Sequence, residues 1–125
     1  QQASEVMDNL CYHDYDIAVG AEDECERLGR DIGAKHAMIM HNHGLLTCAS
    51  TVAEAFYQMY ILENACKVQV DAMASGADLH HTKESAAKML RDYGRVKPNK
   101  PSRSSRLAWP ALLRMLDKQD DSYRS

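Results

Sequence analysis

The side chain with the clearest chemical potential is the imidazole of His43. It sits in Asn42-His43-Gly44, after the apolar run Ala37 to Met40 and before a second one, Leu45 to Cys48. Short apolar runs bounded by turn residues suit buried strands, so the spacing predicts strand, tight bend, strand. Thr51-Val52-Ala53-Glu54 follows. That is a capping box: the Thr51 hydroxyl accepts from the backbone N–H of Glu54, and the Glu54 carboxylate reaches back to the N–H of Thr51. A long helix must start there. An imidazole held between buried elements is stiff, and stiffness is what a metal ligand needs. Gly44 would let backbone or substrate come close. Spacing alone also allows a hydrogen-bonded turn histidine with no chemistry.

Other candidates carry less. His41 and His43 lie at i and i+2, which on a strand share a face. They could chelate together, or His41 could be a partly exposed neighbour. His80-His81 falls between two predicted helices; adjacent histidines point different ways, which suits a solvated loop. Glu63, in mid-helix, is either a paired carboxylate supporting a site or a plain surface glutamate. There is no glycine-rich phosphate loop, no G-x-S-x-G elbow and no C-x-x-C pair. The four cysteines, Cys11, Cys25, Cys48 and Cys66, read as free reduced thiols used as small hydrophobes, Cys48 on a buried strand and Cys66 on a buried helix stripe. That usage points to a cytosolic setting.

The elements that must position these groups alternate between strand and helix. Ala3 to Leu10 reads as a helix. Asp14 to Val19 alternates as a short strand. Ala21 to Ile32 is a helix with Ala21, Cys25, Leu28 and Ile32 on one stripe, acids in its first turn, and Gly33 as a left-handed cap. The helix from Val52 to about Ala74 is the longest. Its predicted stripe is Val52, Ala55, Phe56, Met59, Leu62, Cys66, Val70 and Met73. Thr82 caps a shorter helix to Tyr93, with Ala86, Met89, Leu90 and Tyr93 inward. Arg95 to Arg106 is basic, holds prolines and serines and lacks acids. It reads as a solvated linker rather than a phosphate or nucleic-acid contact. A last helix begins near Pro110. The domain division is therefore 1–94, a linker at 95–106, and a C-terminal helix within 107–125.

With 125 residues, 45% hydrophobic and 26% charged, the chain has the composition of one globular domain. A net charge of −3 gives no general pull toward nucleic acid. No apolar run approaches the ~20 residues that span a bilayer, and no secretion signal is visible. The start at Gln1-Gln2, without Met, suggests a trimmed or incomplete beginning. Alternating strands and helices make a layered α/β domain, but about three strands are few for helices of this length. A sheet partner is expected from an upstream segment or another chain.

Asn42-His43-Gly44-Leu45, then Val52-x-Glu54-Ala55-Phe56, then Leu62-Glu63-x-Ala65-Cys66-x-Val68-Gln69, resembles the class II aldolase/adducin family. The stretch Tyr12-His13-Asp14-Tyr15 and the ending Trp109-Pro110-Ala111-Leu112-Leu113-Arg114-x-Leu116-Asp117 are also similar, the latter to bacterial members. The resemblance covers the C-terminal half of the family domain. It implies a three-layer α/β/α class II aldolase-like fold, incomplete here. It implies Zn2+ or another divalent metal, with His43 as one ligand and the remaining ligands, a His-x-His pair, upstream of residue 1 together with an acidic catalytic residue. In the family pattern the place of His41 is not a ligand. Tyrosine donates a proton in some members, a role open to Tyr12 or Tyr15; this makes Tyr15 a secondary catalytic candidate beside Glu63, with a packing or strand role as the alternative. The implied reaction is retro-aldol cleavage or epimerisation of a sugar-phosphate-like hydroxy-carbonyl compound, in a homo-oligomer, tetrameric in related proteins. The fragment alone is expected to be inactive. The rival is a non-catalytic adducin-like binding module.

Overall fold

The computed structural model describes residues 8–16, 21–80, 82–94, 103–120 and 122–124. Strand β1 is Leu10–His13, helix α1 is Ala21–Ile32, and strands β2 and β3 are Ala37–Met40 and Gly44–Thr47. Helices α2 (Val52–Ala74), α3 (Glu84–Gly94) and α4 (Arg103–Asp117) follow, then a single 3-10 turn, Ser122–Arg124. The three strands lie in the order β1-β2-β3, the first pair parallel and the second antiparallel. A parallel pair needs a crossover, and α1 supplies it.

Side chains alternate across a strand, and that alternation sets the layers. Leu10, Ala37 and Leu45 share one sheet face, where Ile61, Leu62, Tyr57 and Cys66 of α2 pack on them. His13 belongs to the opposite face, where it meets α1. The sheet thus lies between α1 and α2, the expected α/β/α layering. Among the described residues, Ala37, Met38, Ile61 and Leu62 are the fully buried apolar ones.

The helix signals held where they were local. The Thr51 hydroxyl accepts from Glu54 N–H at 3.2 Å and starts α2 at Val52. Gly33 has φ +48 and closes α1 with its N–H on the Gly29 carbonyl. The α2 stripe shifted. Leu62 and Cys66 face inward, but Val52 is 75% exposed, and Phe56, Val70 and Met73 are exposed too. The face turned inward is Glu54, Gln58, Ile61 and Leu62, because the short strands cover only one side of a 23-residue helix. Likewise, on the α1 stripe Cys25 is exposed and Leu28 and Ile32 are half-buried, while Glu24 is buried. Cys48 is exposed, one residue past β3. The four cysteines are free; burial raises the Cys11 thiol's pKa, its Sγ lying on the Ala37 carbonyl at 3.3 Å.

Three predicted elements moved. A strand forms at Leu10–His13, so Leu10 does not end a helix, and Asp14 to Asp16 of the strand predicted at Asp14 to Val19 lie just past it; residues 1–7 and 17–20 lie outside the described residues. The pairing partner decides this, since Leu10 to His13 align with Ala37 to Met40. Helix α3 starts at Glu84, two residues after Thr82, and Met89 is exposed. Helix α4 starts at Arg103, inside the predicted linker, and Pro110 lies within it rather than in its first turn. Proline in a helix interior removes a hydrogen bond to residue i−4. Packing outweighs that loss: Trp109 sets its ring edge on Phe56 of α2 at 5.6 Å, and Ser105 is buried. The rest of the linker, residues 95–102, lies outside the described residues.

Gln58 is a cost within the inward face of α2. Its amide is buried, and neither Nε2 nor Oε1 has a hydrogen-bond partner among the described residues. An unpaired buried amide is destabilising. Gln58→Leu is therefore expected to raise stability by about 1 kcal/mol, read as a higher urea midpoint. A lower midpoint would mean that the amide is bonded in solution.

Candidate functional site

The β2–β3 hairpin carries His41 and His43 at its turn. The His43 N–H donates to the Met40 carbonyl at 3.2 Å, and Asn42 takes φ +55. Asparagine tolerates that left-handed conformation better than most residues. Asn42, not Gly44, is the residue that bends the chain. Nothing lies within 4 Å of where a Cβ on Gly44 would stand, so the close approach expected there is not made by the described residues.

His43 is exposed, and its ring stacks on Tyr15, centroids 3.9 Å apart and planes 21° from parallel. His41 is also exposed, with Nδ1 at 2.6 Å from Asp14 Oδ1 and its ring 5.7 Å from that of Tyr12. The segment leaving β1 therefore lies against the hairpin turn, with Asp14 and Tyr15 each meeting one histidine. Glu63 is exposed and pairs only loosely with Lys67, at 3.3 Å one turn on; it takes no part in this site. His80 is exposed and His81 lies outside the described residues.

Beneath the turn is a cluster that the sequence reading did not single out. His13 is buried, 1% exposed. Its Nδ1 lies 2.7 Å from Asp31 Oδ2 and its Nε2 lies 2.8 Å from Glu24 Oε1. An ionised carboxylate only accepts, so this two-ended geometry suits an imidazolium that donates from both ring nitrogens. The hydrogen bond with Glu24 chiefly, and that with Asp31 next, raise its pKa above the ordinary value of 6.5, against the opposing effect of burial. Conversely, the Glu24 pKa is held below 4.5, first by His13 and then by the Asp16 backbone N–H and Arg27. Arg27 donates from Nη1 to Glu24 at 2.8 Å and from Nη2 to the Asp14 carbonyl at 2.7 Å. A signal was available in sequence: Glu24 and Asp31, seven apart with Arg27 between, share the side of α1 that carries Leu28.

Tyr12, His13, Asp14, Arg27, Asp31 and His41 line an open concavity of about 290 Å³. His43 is not part of that lining. No group of three His, Cys, Asp or Glu side chains close enough to hold a metal ion occurs among the described residues. A catalytic zinc normally takes three protein ligands, so these residues by themselves do not make such a site. The imidazole expected to bind a metal, that of His43, belongs to no such group among the described residues.

This arrangement has relatives. The class II aldolase and adducin N-terminal domain family matches residues 1–70. A Pseudomonas aeruginosa protein named "Putative aldolase class 2 protein" is 42% identical over 99% of this chain and 48% of its own length. An adducin-related protein of Schizosaccharomyces pombe is 31% identical over 99% of this chain and 40% of its own. A crystal structure of an aldolase II superfamily protein from Pseudomonas syringae matches with TM-score 0.87 and 30% identity, over 99% of this chain and 49% of that one. The chain belongs to the class II aldolase/adducin family. It spans about half the length of the relatives it matches. No helix among the described residues is long and apolar enough to cross a membrane.

Proposed function

We propose that the chain is the C-terminal half of a metal-dependent class II aldolase domain, and that His43 gives one imidazole to a metal site completed by residues outside these 125. The observation that carries this reading is the placement of His43: exposed, at the tip of a hairpin whose base is anchored in the core, with its ring seated on Tyr15. A divalent metal held there would polarise the oxygens of a hydroxy-carbonyl substrate such as a sugar phosphate. The proposed substrate is thus a small molecule, the setting cytoplasmic, and the working state a homo-oligomer.

His43→Ala in the intact protein is expected to abolish retention of zinc, measured by elemental analysis, and retro-aldol cleavage of sugar phosphates. Unchanged zinc content in that variant would end the reading. A second reading, prompted by the adducin-related yeast relative, is a binding module with no catalysis. Under it, cleavage is absent with or without a chelator, and the His43 variant behaves as wild type.

A further inference from the structure

Two different elements grip the chain at His13 and Asp14, where it leaves β1. From the α1 side, Arg27 Nη2 donates to the Asp14 carbonyl at 2.7 Å. From the hairpin side, the His41 N–H donates to the His13 carbonyl at 2.9 Å, and the His41 ring meets Asp14 at 2.6 Å. The side chain of His13, at the root of the segment, is fixed at both ends by Glu24 and Asp31 of α1. Tyr15, next along, is half-buried and lies flat on His43. A two-ended hydrogen bond from a buried ring leaves it no free rotamer, and a backbone carbonyl held by a guanidinium fixes the chain direction after it. The His43 ring itself stands exposed at the hairpin turn and meets the Tyr15 ring.

We propose that Tyr15 is a positioning residue for His43, and that the Glu24–His13–Asp31 latch with Arg27 holds Tyr15 under the His43 ring. The proposal deepens the functional reading, since it rests on His43 being the working imidazole. Its test does not need a metal. The ring of Tyr15 shields protons lying over its face, so the carbon-bound protons of His43 resonate upfield of those of an exposed histidine such as His80.

The experiment is NMR of histidine-labelled intact protein without added metal. Tyr15→Leu is expected to move the His43 resonance downfield, toward that of His80, and Tyr15→Phe, which keeps the ring, leaves it in place. Arg27→Met moves it the same way by a smaller amount. A role for Arg27 in stability alone would lower the melting midpoint without moving that resonance, and would overturn the latch. A His43 resonance unmoved by Tyr15→Leu would overturn the positioning role. Neither result depends on zinc content in His43→Ala, so failure of the metal reading is seen separately.

Discussion

His13→Gln is expected to flatten the alkaline side of the protein's stability profile and to lower its melting midpoint by on the order of 10 °C. The first effect follows from linkage. The folded pKa of His13 is raised, so its contribution is fully present below the ordinary value of 6.5 and is lost as pH rises through the folded value. The folded pKa of Glu24 is lowered, so its contribution is present above 4.5 and is lost as pH falls through the folded value. The cluster therefore stabilises most between about pH 4.5 and 6.5. Glutamine donates from a single nitrogen, carries no charge and cannot reach both carboxylates. Glu24 is then left buried with Arg27 as its remaining charged partner. Urea midpoints from pH 5 to 9 check both effects. Equal slopes for wild type and variant above pH 6.5 would show that His13 is not the titrating group.

Ile61→Ala is expected to cost about 2–5 kcal/mol, the usual range for emptying a core position of this size. Ile61 is 2% exposed and packs with Ala37 and Leu62, which make the contact between α2 and the sheet. So small a core has few neighbours to close a cavity. The consequence reaches the site, because Ala37 begins β2 and β2 carries the hairpin turn. Hydrogen exchange of Met40 and Leu45 should therefore accelerate along with the loss of stability. A loss below about 1 kcal/mol would mean that α2 is not held on the sheet by this side chain.

What could be read from sequence was what is encoded locally. Thr51 and Glu54 mark the start of α2, Gly33 marks the end of α1, and the apolar runs around Asn42 mark β2 and β3. The family and its α/β architecture were legible from the Asn42-His43-Gly44-Leu45 block. What depends on pairing across the chain was not. Strand β1 contains Tyr12 and His13, and only alignment with β2 makes a strand of it. Glu24 is buried against the usual preference of a glutamate because His13, eleven residues earlier, neutralises it. Pro110 reads as a helix start, yet the turns before it are held by the Trp109–Phe56 contact. The Tyr12-His13-Asp14-Tyr15 stretch was noticed as family-like, but its partners on α1 and the hairpin could be assigned only in space.

The strand order has a practical consequence for handling these residues alone. Strands β1 and β3 are the edges of the sheet, each paired with a single strand among the described residues. Such margins zip onto copies of themselves as concentration rises. A purified 125-residue preparation should thus be judged first by light scattering across a dilution series, before any spectrum from it is interpreted.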